Sequence, residues 1–312
     1  MTSSENIAHP DIAIRSGMAK VRDIELCYED WGDESAPAFL LIMGLGAQML
    51  LWPDDLCRQL VQKGYRVIRF DNRDIGLSSK IRIKSAPMHD LVRMGRFSLG
   101  LKSPSPYTLY DMAADAIGLL DYLGISKAHI AGASMGGMIA QILAGQYPQR
   151  VRSLAVIFSS TNQPLLPPPR PAAIAPLMKG PGKDATEDEQ VAHSVKLFGL
   201  IGSPAYPAPH AEREAFARRM YRRSYHPAGV KRQFMAVLSS GSLRQVAKKI
   251  RASTVVIHGD KDPLVRPFCG RAVAWAIQDA RLHMLPGMGH DLPAELLPTI
   301  TGLLHENARK AG

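Results

Sequence analysis

Apolar positions occur along the chain in two different periods. Short continuous apolar runs, which are typical of strands buried on both faces, occur at APAFLLIMG (36–44) and YRVIRFD (65–71). Between them, DDLCRQLVQKG (54–64) has helical spacing and ends in a glycine. This order predicts a strand, a crossover helix and a second, parallel strand.

The same alternation continues through the first half of the chain. In YTLYDMAADAIGLLDYLG (107–124), Thr108 and Asp111 match a capping box, and the apolar residues that follow fall on one helical face. Three further elements are predicted: a strand at KAHIAGA (127–133), a helix from Met135 to Tyr147, and a strand at VRSLAVIFSS (151–160). The pattern predicts an α/β fold with a mostly parallel sheet and helices on both faces.

The pattern changes after Thr161, where the proline-rich NQPLLPPPRPAAIAP leads into polar, basic helical stretches. Strand and helix patterns return at STVVIHGD (253–260) and end with the amphipathic LLPTITGLLHENARK (296–310). We therefore predict three segments: a first part of the core over 1–160, a helical cap insertion over 161–248, and a second part of the core over 249–312.

Composition narrows the class of protein. Hydrophobic residues make up 46% of the chain and charged residues 21%, which is ordinary for a globular domain. The start MTSSENIAHPDIAIRSG lacks a basic segment followed by an apolar one, and no run approaches the roughly 18 apolar residues of a membrane span. We expect a cytoplasmic protein. Cys27, Cys57 and Cys269 are far apart and odd in number, so we expect reduced packing residues.

The net charge of +10 favours acidic partners in general. Nucleic-acid binding is one interpretation, but no recognised motif supports it, and we expect no nucleic-acid partner. Basic residues cluster in REAFARRMYRRSYHPAGVKR (213–232). The simplest interpretation is a solvated helix face, and the alternative is peripheral contact with an anionic membrane or an acidic substrate. The basic residues of this cluster are Arg213, Arg218, Arg219, Arg222, Arg223, Lys231 and Arg232.

The pentapeptide GASMG (132–136) is the first candidate for chemistry. It has the GxSxG form, with a predicted strand before it and a predicted helix after it, which is the context of a nucleophile elbow. Such a sharp turn strains the serine backbone and exposes its hydroxyl, and flanking glycines let neighbouring chains pass closely. We predict that Ser134 is a nucleophile, while the alternative interpretation is a plain glycine-rich turn.

A serine nucleophile requires a base and an orienting carboxylate, which in this architecture follow later in the chain. Asp260 and Asp262 are the acid candidates, in the loop after the strand of VVIHGDKDPLV. His290, in LPGMGHDLP, is the base candidate, again just past a strand. His258 and His305 compete with it, but His258 precedes a strand-end glycine and His305 lies in the last helix, so we interpret both as structural.

These segments resemble one known family. LLIMGLGAQMLLWP, DNRDIGLS, GASMGG, HGDKDPLV and GMGHDLP occur in the order found in α/β-hydrolases, and the resemblance covers the chain apart from the insertion. Within the family, the first two segments look most like small esterases such as aclacinomycin methylesterase. The resemblance implies that Ser134 is the nucleophile, Asp262 the acid and His290 the base, and that the backbone N–H groups of Leu45 and Met135 bind the oxyanion.

Two details of the resemblance bear on the loops. Many relatives have His-Gly after the third strand, whereas Met43 precedes Gly44 here. Because the oxyanion donor is a backbone N–H, the change from histidine to Met43 leaves the donor itself in place. The contacts that hold this loop must then differ from those of relatives with His-Gly. In DNRDIGLS, four residues follow the family pattern and are interpreted as loop braces through turn hydrogen bonds, a buried ion pair and a glycine-permitted angle. They are Asp71, Arg73, Gly76 and Ser78.

The sequence therefore predicts a serine hydrolase that cleaves an ester or thioester of a hydrophobic small molecule. A serine in place of an aspartate argues against dehalogenase and epoxide hydrolase chemistry. No metal cluster, phosphate loop or dinucleotide fingerprint is evident, so we expect no cofactor. Carbon–carbon bond hydrolysis and perhydrolysis on the same triad stay open, as does a hydrolase-fold receptor with little turnover. The sequence does not indicate the oligomeric state.

Overall fold

The computed structural model describes residues 12–82, 88–178, 180–182 and 184–311. Within these residues, eight strands form a single sheet with the order β1-β2-β4-β3-β5-β6-β7-β8. The strands are β1 (Ile14–Val21), β2 (Ile24–Trp31), β3 (Ala38–Ile42), β4 (Arg66–Phe70), β5 (Ala128–Ala133), β6 (Val151–Ile157), β7 (Ser253–Gly259) and β8 (Arg281–Leu285). From β4 to β8 in this order, neighbouring strands are parallel, as predicted.

Helices cover both faces of the sheet. They are α1 (Asp54–Gln62), α2 (Asp90–Ser98), α3 (Leu109–Tyr122), α4 (Met135–Gln146), α5 (Pro171–Met178), α6 (Glu187–Ile201), α7 (His210–Arg223), α8 (Pro227–Ser240), α9 (Arg244–Ala247), α10 (Pro267–Ala276) and α11 (Leu297–Arg309). Helices α3, α4 and α10 pack on one face, and α1 and α11 pack on the other. The predicted α/β architecture is confirmed.

Strand β3 shows why its sequence is a continuous apolar run. Leu40 and Ile42 join the apolar cluster beneath α3 and α4, whereas Phe39 and Leu41 join the cluster beneath α1 and α11. All four side chains are at most 1% exposed. Successive residues of a strand point to opposite faces, so a strand covered by helices on both sides buries apolar side chains in both directions.

The capping box predicted before α3 is confirmed. Thr108 accepts a hydrogen bond from the Asp111 N–H, and the Asp111 carboxylate accepts one from the Thr108 N–H at 2.8 Å. These bonds satisfy donors that a helix N-terminus would otherwise leave unpaired. Gly124, with φ of +68°, follows the helix and turns the chain toward β5. The three cysteines are free and buried, as expected.

The N-terminal hairpin of β1 and β2 adds an antiparallel edge to the sheet, with Ile14 paired to Trp31 and Val21 to Ile24. Helices α5 to α9 lie between β6 and β7 in chain order, where the insertion was predicted. The limits of that insertion, 161 and 248, stay a prediction. No helix in the described part of the chain has the length and apolar character needed to cross a membrane.

Candidate active site

Ser134 occupies a sharp turn between β5 and α4. Its backbone has φ of +56° and ψ of −122°, a conformation that residues with a Cβ rarely adopt. The Ser134 N–H donates to the Ile157 carbonyl at 2.9 Å, which ties the turn to β6. A Cβ added to Gly132 would overlap the Gly136 carbonyl, and one added to Gly136 would overlap the Ile42 carbonyl. The glycines of GASMG are therefore required by close backbone packing.

Two side chains from distant loops meet Ser134. His290 Nε2 lies 3.0 Å from Ser134 Oγ, and His290 Nδ1 lies 2.8 Å from Asp262 Oδ2. The other oxygen of Asp262 accepts the N–H groups of Leu264 and Val265, both at 2.8 Å. A carboxylate accepts hydrogen bonds, so Nδ1 of a neutral His290 carries the proton and Nε2 is free to accept from the Ser134 hydroxyl.

The competing candidates lie elsewhere. Asp260 is exposed, and its Oδ1 accepts the Gly287 N–H at 2.7 Å, so it braces the turn before His290. His305 Nδ1 lies 2.9 Å from the Tyr65 hydroxyl. His258 is fully buried, with Nε2 2.8 Å from the Val265 carbonyl, and burial lowers its pKa. It is therefore a neutral structural residue behind Asp262.

Two segments that carry the predicted oxyanion donors flank Ser134. A Cβ on Gly44 would lie 2.9 Å from Ser134 Cβ and 3.4 Å from Oγ, so the chain entering Leu45 passes directly beside the serine. Met135 is the first residue of α4, where N–H groups have no partner within the helix. The positive end of the helix dipole adds to the attraction for an anion at this point.

Comparison with known proteins identifies the family. The model of the alpha/beta hydrolase fold family matches residues 37–295. The chain belongs to the α/β-hydrolase fold family. A rhodomycin D methylesterase of Streptomyces peucetius is 25% identical over 311 residues, which cover 93% of this chain and 96% of that protein.

Solved structures of α/β-hydrolases share the fold over almost the whole chain. An enol-lactonase from Burkholderia xenovorans has a TM-score of 0.70 at 24% identity, covering 94% of this chain and 100% of that one. A 2-hydroxy-6-oxo-6-phenylhexa-2,4-dienoate hydrolase from Rhodococcus has a TM-score of 0.74 at 19% identity, covering 96% of this chain and 99% of that one. The predicted family and fold are confirmed.

In this α/β-hydrolase, the loop after β3 has support that differs from a His-Gly motif. The Asn72 side chain donates to the Met43 carbonyl at 2.8 Å. Gln233, in α8, accepts the Gly46 N–H at 2.9 Å and donates to the Arg73 carbonyl at 2.9 Å. Gln233 is fully buried, so these bonds are shielded from water. The sequence pattern gave no signal for Gln233, one of several polar residues within α8.

The four predicted loop braces act as expected. Asp71 accepts the Met49 N–H at 2.8 Å, and the Ser78 hydroxyl donates to the Asp71 carbonyl at 2.6 Å. Arg73 forms a buried two-bond ion pair with Asp115, at 2.5 and 2.6 Å. Gly76 has φ of +57°, and a Cβ there would overlap the Asp71 carboxylate.

Two arginines of the inserted helices join this same loop. Arg223 of α7 lies 2.8 Å from Asp71, and Arg232 of α8 binds both oxygens of Asp74 at 2.9 and 2.8 Å. Burial acts to raise the pKa of Asp74, but hydrogen bonds from Arg232 and Tyr107 outweigh it and hold that pKa below its usual range. Asp74 is therefore ionised at neutral pH and pairs with Arg232.

The loop that carries His290 is also held by the insertion. The His290 N–H donates to the Ile201 carbonyl at 2.7 Å, and the Gly289 N–H donates to Ser203 Oγ at 2.9 Å. Asp291 accepts the N–H and the hydroxyl of Ser203, and burial raises the pKa of Asp291. Sequence reasoning missed both Ser203 and Asp291.

Two further arginines of the basic cluster lie against acidic residues. Arg218 contacts Glu187, Asp188 and Glu214 at 2.7 to 3.2 Å, and Arg222 contacts Glu187 at 2.8 Å. Together with Arg223 and Arg232, these side chains join the inserted helices to one another and to the core. A cavity of about 590 Å³ between α6 and α7 is lined by Arg218 but by none of the residues around Ser134.

Proposed function

We propose that this α/β-hydrolase cleaves a carboxylic ester, or a thioester, of a hydrophobic small molecule through an acyl-enzyme intermediate. The observation that carries the proposal is the relay of Ser134, His290 and Asp262, with contacts of 3.0 and 2.8 Å. A serine within hydrogen-bond reach of an imidazole that is itself held by a buried carboxylate is the arrangement required for nucleophilic catalysis.

In the acylation step, His290 Nε2 removes the Ser134 proton as Oγ attacks the carbonyl carbon. The carbonyl electron pair moves to oxygen, and the Leu45 and Met135 N–H groups stabilise the resulting negative charge. When the tetrahedral intermediate collapses, the bond to the leaving oxygen or sulfur breaks. His290 then gives its proton to that leaving group.

In the deacylation step, His290 removes a proton from water as the water oxygen attacks the acyl carbon. When this second tetrahedral intermediate collapses, the bond to Ser134 Oγ breaks, His290 returns the proton to that oxygen, and the free acid leaves. Asp262 holds the required imidazole tautomer and stabilises the imidazolium in both steps. Its two bonds from the Leu264 and Val265 N–H groups fix the carboxylate while the charge on His290 changes.

The ester class is supported by the relative named as a rhodomycin D methylesterase, which aligns over 93% of this chain. We propose that residues 161–248 form a cap above the serine, because Ile201, Arg223 and Gln233 all reach loops beside it. Such a cap would shape an apolar pocket and exclude water from the acyl-enzyme.

A fluorophosphonate probe, which reacts with activated serines, tests the assignment. We expect labelling and ester hydrolysis in the wild type, and loss of both in Ser134→Ala with the fold retained. Ser160→Ala, which alters another buried serine just after β6, serves as the control and should label normally. Labelling that persists in Ser134→Ala would refute the proposal.

The substrate class needs a second measurement. A chain-length series of p-nitrophenyl esters should be hydrolysed with many turnovers per chain, with methyl esters and acyl thioesters measured beside it. Activity confined to carbon–carbon bonds or to peracid formation would replace the proposed reaction with another on the same residues. Binding without repeated turnover would instead indicate a receptor.

A further inference from the structure

Helix α2 presents its apolar side to solvent. Leu91, Val92 and Met94 are 70%, 52% and 38% exposed, and Leu99, just after the helix, is 77% exposed. Because helical residues advance by about 100° each, these four side chains lie on one continuous face. On the opposite side, Arg93 is fully buried. The helix therefore reverses the usual arrangement, in which the apolar side faces the core.

The backbone at the end of this helix is closed by a regular cap. Gly100 has φ of +72°, and the Leu101 N–H donates to the Arg96 carbonyl at 2.8 Å, which is the pattern of a Schellman motif. On the buried side, the Arg93 guanidinium donates to the Pro104 carbonyl. The outward direction of the leucines is thus set by a hydrogen-bonded element.

The exposed apolar residues are concentrated at this position. In the described part of the chain, five of fourteen exposed large apolar side chains fall between residues 91 and 101. Single exposed apolar residues are ordinary, but a contiguous apolar face marks a contact with another body. A convex helix cannot enclose a small molecule, since small-molecule sites are concave. The partner of this face must itself be an apolar surface.

The charges around this face indicate which kind of apolar surface it would contact. Lys102 is exposed just beyond the helix, and the guanidinium of Arg96, in the last turn of α2, donates to the Lys102 carbonyl at 2.7 Å. Asp90 is the one acidic residue in the sequence from 88 to 107, and it faces Lys231 at 3.5 Å. A second copy of a chain with a net charge of +10 would bring like charges together, which opposes association.

We propose that the α2 face, formed by Leu91, Val92, Met94 and Leu99, docks on an anionic lipid surface. The apolar side chains enter the boundary between headgroups and acyl chains, and the flanking cations meet the lipid phosphates. The proposal is independent of the proposed reaction, because binding requires no turnover. Helix α2 packs against α8, so docking would bring the lipid close to the helix that carries Gln233.

Vesicle sedimentation with the full chain tests the proposal. We expect binding to vesicles of phosphatidylcholine with about a third phosphatidylglycerol, little binding to phosphatidylcholine alone, and weaker binding at moderate than at low salt. The double variant Leu91→Ser/Leu99→Ser should bind about tenfold more weakly or worse. Trp275→Ser, on α10, is the matched control, because Trp275 is also 70% exposed, and it should bind as the wild type does.

Several outcomes would overturn the proposal. These are no binding to the anionic vesicles, equal binding to both kinds of vesicle, and binding that the double variant leaves unchanged. Sedimentation velocity decides the remaining alternative: a wild-type dimer that the double variant converts to a monomer would show that a second copy covers the face. Should the double variant fail to fold, Lys102→Glu replaces it and should lower binding to the anionic vesicles.

Discussion

Replacing Gln233 with methionine should weaken catalysis although Gln233 is not proposed to touch substrate. The side chain of Gln233 joins the Gly46 N–H to the Arg73 carbonyl through two bonds of 2.9 Å. Methionine has a similar length but no comparable donor or acceptor. The substitution therefore leaves both backbone groups without their partner, next to the residue proposed to donate to the oxyanion, Leu45.

The structure allows an estimate of the size of the effect. A buried polar group that loses its partner costs about 1–3 kcal/mol, so the loop would shift to recover hydrogen bonds and move the Leu45 N–H. Complete loss of one oxyanion donor lowers kcat by about 10²- to 10³-fold, which sets the upper limit. A displaced donor keeps part of its effect, and we expect a fall in kcat of about 10- to 100-fold. KM should change little, because the interaction develops in the transition state.

The assay is steady-state hydrolysis of a p-nitrophenyl ester, together with the affinity for a boronic acid that mimics the tetrahedral intermediate. In Gln233→Met, that affinity should fall in parallel with kcat/KM. Gln59→Met, in the contact of α1 with α11, is the control, since Gln59 accepts a hydrogen bond from Thr301 at 2.7 Å and lies outside the site. An unchanged kcat in Gln233→Met, or the same fall in both variants, would refute the reasoning. Full activity in Ser134→Ala would instead refute the proposed reaction.

Three further predictions follow from the geometry. Asp262→Asn should lower kcat by about 10³- to 10⁴-fold and Asp260→Asn only slightly; equal effects in the ester assay would mean that the wrong carboxylate was chosen. Burial lowers the pKa of His129 from 6.5 to about 4. Between pH 6.5 and pH 4, His129 therefore binds a proton in the unfolded chain but not in the folded one. The free energy of unfolding should fall by about 3 kcal/mol as the pH drops from 6.5 to 4. Urea unfolding should show this loss reduced in His129→Asn, and an unaltered pH slope would contradict it. Gly136→Ala should lower Tm, because its Cβ would overlap the Ile42 carbonyl, whereas Gly302→Ala, with open space around it, should not; equal melting curves would contradict the packing argument.

The parallel part of the sheet could be predicted because its strands and helices are marked by patterns of neighbouring residues in the sequence. Strands covered on both faces are mostly apolar along their whole length, and the helices between them carry caps and terminal glycines. The hairpin of β1 and β2 was not predicted, because it lies at the sheet edge, where Ile14 and Met18 are 50% and 41% exposed and the apolar pattern is broken. Helix α2 was missed as well, since its apolar residues face outward.

The same distinction holds at the site. Ser134, His290 and the two acid candidates, Asp260 and Asp262, each follow a predicted strand, and parallel strands bring their carboxyl ends to one edge. Chain order therefore pointed to these segments, and the family resemblance chose Asp262 over Asp260. Gln233 is 187 residues from Gly46, and Ser203 is 86 residues from Gly289. Contacts over such separations depend on the path of the inserted helices, and a polar side chain in a helix gives no indication of which distant loop it will meet.

The attachment of the insertion limits how this enzyme could be re-engineered. Exchanging residues 161–248 for the equivalent segment of another α/β-hydrolase is an obvious route to a new substrate range. A transplanted segment would have to reproduce three anchors on the acceptor scaffold, the Ile201 carbonyl at His290, Arg223 at Asp71 and Gln233 at Gly46. A chimaera that matches only the pocket lining would release the loops that carry the proposed catalytic residues. Grafts should therefore be chosen by these anchor positions first and by cavity shape second.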